Sequence, residues 1–266
     1  MRPLIDSHCH LLPGLDDGAA TWEEALALAA AAYREGTRAL VVTPHYLPGA
    51  FTPEPSRIRE LAAEFRSRLA ADSIGIDVYP GCEAYLVPEL PQLARQSKVI
   101  TWGDSGRYLL VELPLQELPP WADQVLFELR LAGLTPIIAH PERCAGVQRR
   151  PEWVAEAVNR GMLVQVNGPS LTGRYGGSAR KTAGKLLAGG LVHLLGSDAH
   201  SHRRPAGLEE AARVVERRAS REAAAAILTG NPLALLKGTA LPEAAAAREL
   251  PRRRWQWPWS SRKSQR

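Results

Sequence analysis

Seven times along this chain a short apolar run is followed by a stretch of helical character. That alternation restricts the fold more than any other feature. The runs at residues 3–6, 38–43, 75–80, 108–113, 134–139, 162–166 and 191–196 have strand length. Helical spacing covers 22–35, 56–71, a short piece near 88–96, 119–133, 152–161 and 180–189, with further helices at 208–218, 221–228 and from Asn231-Pro232 to 236. Thr21 with Glu24 three residues on forms a capping box, and Gly36 stops that helix. Ile58, Leu61, Ala62, Phe65 and Leu69 fall on one helical face. The run 108–113 is apolar enough for burial on both faces. Strand–helix alternation predicts a parallel sheet. Seven units predict a closed or nearly closed barrel, although an open doubly wound sheet satisfies the same pattern.

Residues able to bind a metal fall at or just after the predicted strands, except for one strand that ends in asparagine. His8 and His10 follow the first, His45 the second and Glu83 the third; Glu112 and His140 close the fourth and fifth; Asp198 and His200 follow the last. The C-terminal ends of parallel strands share one face of a barrel, so ligands far apart in sequence would meet there. His8 and His10 point to one side if the segment is extended, and Asp198 and His200 repeat the spacing. A lone His-x-His is a weak signal; five of seven histidines placed after strands is a stronger one. His193, within a strand, reads as a core or supporting residue, and His202 as a solvated one. Glu112 lies inside Leu109-Leu110-Val111-Glu112-Leu113, where an unpartnered carboxylate is costly. A buried arginine partner would explain it, but its neighbours favour a ligand. Of Asp16 and Asp17, Asp17 is the better candidate.

His8, His10, Asp17, His45, Glu83, Glu112, His140, Asp198 and His200 are too many for one ion with open positions, so two or three ions are expected, with Glu83 as a bridge. Imidazole and carboxylate without thiolate suit manganese, iron or zinc. Clustered divalent ions activate water and stabilise the oxygens of a phosphoryl transfer. Arg143 follows His140, and Arg203-Arg204 follow His200. A guanidinium fork matches phosphate oxygens; for Arg143 the bland alternative is an ion pair with Glu142 or another neighbour.

Cys9, Cys82 and Cys144 have no paired spacing and read as buried free thiols in a reducing compartment. The N-terminus lacks the pattern of a signal peptide and no apolar run is long enough to span a bilayer, so a cytoplasmic location is expected. The net charge is +5, but the segment from Arg248 onward carries seven basic residues and one acid, which leaves the body at about −1. A near-neutral body argues against nucleic acid as a partner. Residues 1–242 therefore read as the globular unit, and 243–266 as an alanine-rich piece followed by a disordered basic tail carrying Trp255, Trp257 and Trp259.

The motifs Asp6-x-His8-x-His10, Asp16-Asp17-Gly18, Thr43-Pro44-His45-Tyr46, Gly81-x-Glu83, Ala139-His140-Pro141-Glu142-Arg143 and Ser197-Asp198-Ala199-His200 together resemble the polymerase-and-histidinol-phosphatase (PHP) superfamily. Within it they look most like the bacterial manganese-dependent protein-tyrosine phosphatases of capsular and exopolysaccharide operons. The resemblance spans roughly residues 4–238; Cys144 and Ser201 depart from the family wording without removing a ligand. It implies a distorted seven-stranded (β/α)7 barrel and three Mn2+ ions. One ion would be held by His8, His10, Glu83 and Asp198, a second by Glu83, Glu112 and His140, and a third by Asp17, His45 and His200. A bridging hydroxide would attack phosphorus while Arg143 and Arg204 grip the phosphate. The implied substrate is phosphotyrosine on a tyrosine kinase that regulates polysaccharide synthesis. Competing readings are another PHP phosphoesterase, acting on histidinol phosphate or nucleotides, and a non-catalytic metal-binding adaptor.

Tryptophan favours the headgroup region, and each basic residue near an anionic leaflet contributes about 1 kcal/mol, so the tail is a candidate for peripheral membrane contact. Full-length protein should then sediment with anionic vesicles and a truncation after Glu249 should not. Equal sedimentation of the two forms would remove the tail as an anchor.

Overall fold

The computed structural model describes residues 3–205 and 207–241. The expectations for the tail fall on residues outside this set. Among the described residues, no helix is long and apolar enough to cross a membrane.

In chain order the strands are β1 (Leu4–Cys9), β2 (Thr37–Val42), β3 (His45–Tyr46), β4 (Asp77–Pro80), β5 (Glu83–Tyr85), β6 (Tyr108–Glu112), β7 (Thr135–Ala139), β8 (Leu163–Asn167) and β9 (Leu194–Gly196). They form a three-stranded sheet ordered β1-β2-β4 and a six-stranded sheet ordered β3-β5-β6-β7-β8-β9. All pairings between these strands are parallel, and the helices form the outer layer. The α/β class and parallel pairing agree with the sequence; nine segments in two sheets differ from the seven expected strands. The predicted strands at 38–43 and 75–80 are each followed by a further short strand, β3 and β5, set off for local reasons. Between β2 and β3 stands Pro44, which has no N–H for a ladder; its carbonyl accepts the Glu83 N–H at 3.0 Å. Between β4 and β5, Gly81 passes so close to residue 102 that a Cβ there would lie 3.3 Å from the Trp102 Cα.

The two sheets meet where β1 ends against β9. The His10 N–H donates to the Ala199 carbonyl and the Asp198 N–H to the His8 carbonyl, both at 2.8 Å, and Cys9 forms a parallel bridge with Ala199. The Asp6 carboxylate adds a cross-link by accepting the Ser197 N–H at 2.9 Å.

Alternate residues of each strand enter different apolar clusters. Leu109, Val111, Ile138 and Leu195 belong to the large outer core beneath the helices. Leu110, Ile137, Ala139, Leu194 and Val41 belong to a smaller inner cluster around the fully buried Trp102. This is the period-two pattern of a sheet buried on both faces. The inner positions run on to polar groups at the C-terminal ends: Tyr108-Leu110 leads to Glu112, and Leu163 leads to Gln165 and Asn167. The Trp102 indole N–H donates to the Ser7 carbonyl at 2.8 Å, tying the inner cluster to β1. Cys9, Cys82 and Cys144 are free and buried, as read from the sequence.

The helices are α1 (Trp22–Arg34), α2 (Pro55–Ala71), α3 (Leu90–Arg95), α4 (Ala122–Leu131), α5 (Ala145–Arg149), α6 (Glu152–Asn159), α7 (Gly168–Thr172), α8 (Gly176–Ala188), α9 (Leu208–Arg218), α10 (Arg221–Ala225) and α11 (Asn231–Leu236). Thr21 caps α1 by accepting the Glu24 N–H at 3.3 Å, while the Glu24 carboxylate reaches the Ala20 N–H at 3.0 Å, one residue short of a reciprocal box. The short α5 and α7 were not expected, and α8 begins at Gly176, ahead of the expected start at 180. Asn231 does not cap α11; its side chain donates to the His193 carbonyl at 2.9 Å.

His193 is a structural residue, 8% exposed, whose Nδ1 accepts the Val164 N–H at 3.1 Å. Burial pushes its pKa down to about 4. The folded chain keeps His193 neutral, whereas the unfolded chain protonates it near pH 6.5. Its contribution is therefore full above about pH 6.5 and is lost as the pH falls toward 4, to a total of about 3 kcal/mol. His193→Asn keeps an acceptor near Nδ1 and removes the titration. Denaturant melts of this variant should show a correspondingly shallower loss of stability over that pH interval; parallel pH profiles would contradict the assignment.

Candidate metal centre

The inner-face positions of β1 deliver two imidazoles to the mouth. His8 Nδ1 lies 3.1 Å from Gln165 Oε1, which also accepts the His140 N–H at 3.2 Å. His10 Nδ1 lies 2.6 Å from Asp16 Oδ2. In the neutral rings these partners put the N–H on Nδ1 and leave both Nε2 atoms as lone pairs. The two Nε2 atoms are 2.9 Å apart, and in that tautomer neither can donate to the other. Two nitrogens at right angles on one cation, each about 2.1 Å from it, would be separated by about 3 Å. His200 follows the same pattern, with Nδ1 2.9 Å from the Asp198 carbonyl oxygen and a buried Nε2 without a hydrogen-bond partner.

Glu83 lies at the centre. Its Oε2 is 3.2 Å from His8 Nε2, 3.3 Å from His10 Nε2 and 3.0 Å from His45 Nδ1, while its Oε1 is 2.7 Å from His140 Nε2. Burial penalises this carboxylate, but His8 and His140 outweigh it and hold the pKa well below the usual range. Glu112 sits at the edge, 3.7 Å from His45 and 3.8 Å from His140; burial and the charge of Glu83 push it up to about 9. No arginine pairs with it among the described residues' ion pairs. Asp17 is 55% exposed, with Oδ1 3.4 Å from His200 and 3.6 Å from His45. All nine sequence candidates thus come to one mouth, in four overlapping groups whose ligand atoms lie within 4.8 Å of one another: His10, Asp17, His45 and His200; His8, His10 and Asp198; His8, Glu83 and His140; His45, Glu83 and Glu112.

Asp198 divides its oxygens. Oδ1 lies 3.5–3.8 Å from His8, His10 and His200. Oδ2 accepts from Arg143 Nη1 at 2.7 Å and Asn167 Nδ2 at 2.8 Å, and lies 2.8 Å from Arg204 Nη2. Arg143 therefore pairs with Asp198 and not with Glu142. Asp198 (φ 54°) and His140 (φ 27°) both have left-handed backbones, a strained state for residues with a Cβ. At His140 the strain re-aims a side chain that strict alternation after the inward Ala139 would turn outward.

Residues 4–237 match the family model described as capsular polysaccharide synthesis, CpsB/CapC. The chain belongs to this family. The tyrosine-protein phosphatase YwqE of Bacillus subtilis (strain 168) is 34% identical over 198 residues, covering 74% of this chain and 78% of that protein. The tyrosine-protein phosphatase CpsB of Streptococcus pneumoniae is 30% identical over 242 residues, covering 86% and 96%. A crystal structure from the pair YwqE and CpsB, described as unique metal-dependent tyrosine phosphatases, superposes with a TM-score of 0.85 at 33% identity, over 90% of this chain and 96% of that one. A phosphotriesterase homology protein from Escherichia coli shares the fold alone, with a TM-score of 0.58 at 13% identity over 86% of this chain and 97% of that one.

This CpsB/CapC chain also places residues outside the nine candidates at the site. Asp16 accepts from His45 N at 2.8 Å and Gly18 N at 2.9 Å besides holding His10, so the lesser candidate of the Asp16-Asp17 pair orients ligands. Gln165 and Asn167 occupy inner-face positions of β8, and period two was the signal that could have found them. Tyr175 touches Asp198 from the turn between α7 and α8, and nothing in its local sequence marks it. Removing a partner that fixes the ring nitrogen of a ligand imidazole, as Asp16 does for His10, costs about 10–100-fold in metal affinity. Asp16→Asn should weaken Mn2+ binding in a direct titration by about tenfold or more. Unchanged affinity would reduce Asp16 to a loop-closing residue.

Proposed function

We propose that this chain is a metal-dependent protein-tyrosine phosphatase that hydrolyses phosphotyrosine on a protein, with a bacterial tyrosine kinase controlling capsular or exopolysaccharide synthesis as the substrate. The observation that carries the proposal is Asp198: one carboxylate whose inner oxygen faces the imidazoles and whose outer oxygen is shared by two arginines. The relatives named tyrosine-protein phosphatases support the phosphotyrosine assignment. We read the two sheets as one distorted seven-stranded barrel, with β2–β3 and β4–β5 each a single interrupted strand; residues 1–242 would be the catalytic unit, working in the cytoplasm.

The buried donor set fits divalent cations. Glu83 Oε2 and His200 Nε2 are buried without hydrogen-bond partners, and an unpaired buried polar atom is costly. His8, His10, Glu83 and Asp198 would hold one ion; Glu83, Glu112 and His140 a second; Asp17, His45 and His200 a third, with manganese the first choice. Such ions supply Lewis acidity toward a phosphoryl group and its water nucleophile.

The chain's own residues do the rest. Gln165 and Asp16 fix the tautomers of His8 and His10, keeping Nε2 directed into the site. Arg143 and Arg204 place two guanidiniums on one side of that cluster. Asp198 Oδ2 has two lone pairs, yet it faces Arg143, Arg204, Asn167 and Tyr175. The arginine donors are in surplus there, and their remaining N–H groups can take phosphate oxygens and the charge that develops on them during transfer. A phenolate leaving group, with a pKa of about 10, demands less protonation than an alkoxide, which favours aryl phosphates.

A phosphotyrosine peptide, histidinol phosphate and a nucleotide monophosphate should be assayed side by side across added metals. Turnover of the peptide should dominate, be lost on chelation and return with Mn2+. Full activity after metal loss confirmed by elemental analysis would sink the metal assignment, and preference for histidinol phosphate would redirect the substrate. His45→Ala or Asp198→Ala should lower kcat by more than about a hundredfold in a protein that remains folded. Arg143→Lys keeps the charge but loses the planar fork; a kcat/KM equal to that of the parent would make Arg143 peripheral.

A further inference from the structure

We infer that Tyr175 is a positioning residue that holds Arg143 and Arg204 in the phosphate-receiving geometry and stays on Asp198 when phosphate draws the arginines away. The inference rests on the phosphatase reading above. The Arg143 guanidinium carbon lies 4.7 Å from the centre of the Tyr175 ring, and that of Arg204 6.0 Å. The Tyr175 hydroxyl accepts from Arg204 Nε at 3.3 Å and donates to Asp198 Oδ2 at 3.4 Å. One side chain thus meets both arginines and the carboxylate they share. Its ring gives the planar guanidiniums an aromatic surface, an interaction that holds orientation as well as charge.

The backbone supports this placement. Tyr175 precedes α8 in a turn flanked by Gly173 (φ 97°) and Gly176 (φ 89°). A Cβ on Gly176 or Gly177 would meet nothing within 4 Å, so the turn on that side is not braced by packing. Among the described residues, the hydrogen bonds and cation contacts of this side chain are those with the arginines and Asp198.

The competition at Asp198 Oδ2 gives the hydroxyl its second task. With two lone pairs and four neighbouring donors, the oxygen cannot satisfy all of them fully. When an incoming phosphate takes donors from Arg143 and Arg204, the Asn167 amide and the Tyr175 hydroxyl remain to satisfy it. Without the hydroxyl, each arginine moved to phosphate leaves the buried carboxylate poorer in donors, and that cost is charged against phosphate binding.

The test uses the full metal-loaded chain with Tyr175→Phe, Tyr175→Ala and each combined with Arg204→Ala. Three ligands are compared: an aryl phosphate, an alkyl phosphate, and inorganic phosphate measured by inhibition and by calorimetry. Tyr175→Phe should weaken inorganic phosphate by about three- to tenfold, the size of one ordinary hydrogen bond. Tyr175→Ala should lower kcat/KM by about ten- to a hundredfold for aryl and alkyl substrates alike, since it loosens two transition-state donors. In the Arg204→Ala background Tyr175→Phe should cost less than about twofold, because coupled groups are not additive. At saturating metal, the metal content should be unchanged in all variants.

Unchanged phosphate affinity in Tyr175→Phe would overturn the inference. So would additive costs with Arg204→Ala, or a loss confined to the aryl substrate, which would mean that the ring meets substrate instead. Loss of metal in parallel with activity would make the role structural. If the parent binds phosphate but turns nothing over, the phosphatase reading fails while calorimetry still decides the role of Tyr175. If it binds no phosphate, both fail.

Discussion

The junction of β1 with β9 is the contact on which the rest of the centre depends. The backbone bonds from Asp198 to His8 and from His10 to Ala199 join the two sheets and bring together the two sequence pairs with i, i+2 spacing. His8 and His10 arrive from one side, Asp198 and His200 from the other. The Asp6 carboxylate reinforces the junction through Ser197 N, with its second oxygen buried and unpartnered; burial raises its pKa to about 6. Close approach is possible because Gly196 has no side chain: a Cβ there would run into the His8 Cβ and the Gln165 amide.

Much of this was legible in the sequence because strands obey a period of two. Glu112 continues Tyr108 and Leu110 on β6 and so shares a face with its apolar predecessors, while His8 in β1 and His10 just after it keep to one side by the same alternation. The strand-end position of the other ligands followed from the parallel alternation alone. Arg143 and Arg204 were singled out by their proximity to candidate ligands in the chain. The resumption of pairing after the second and third predicted strands, in β3 and β5, was not foreseen, although Pro44 and Gly81 were visible. Proline in a strand pattern signals a break, but where a chain resumes pairing depends on its neighbour, here the Glu83 N–H offered to the Pro44 carbonyl.

Asp16, Gln165 and Tyr175 were harder for a different reason. Asp16 and Asp17 are adjacent acids on a loop, and only the turn decides which one faces inward. Asp16 accepts three N–H donors and is buried, whereas Asp17 is 55% exposed. Gln165 and Asn167 are neutral and carry no signature of chemistry. Tyr175 reaches the site from a glycine-rich turn, with no period to reveal its direction.

The centre is expensive for the fold to assemble. Glu83, His8, His10 and Asp198 are almost wholly removed from water, and burying charge costs several kcal/mol per ion unless it is paired. Left-handed backbones at His140 and Asp198 add about 1–3 kcal/mol each. The inner cluster around Trp102 and the outer core beneath the helices supply the apolar burial that tolerates this cost. A cation bound only by the folded state would then stabilise the chain by an amount that grows with the logarithm of its concentration above Kd. Asp198 links that stabilisation to function, since the same residue faces the imidazoles with one oxygen and the arginines with the other. Any shift of its carboxylate on metal binding must move the acceptor on which Arg143 and Arg204 rest, so the metal-binding and anion-binding halves cannot be organised independently.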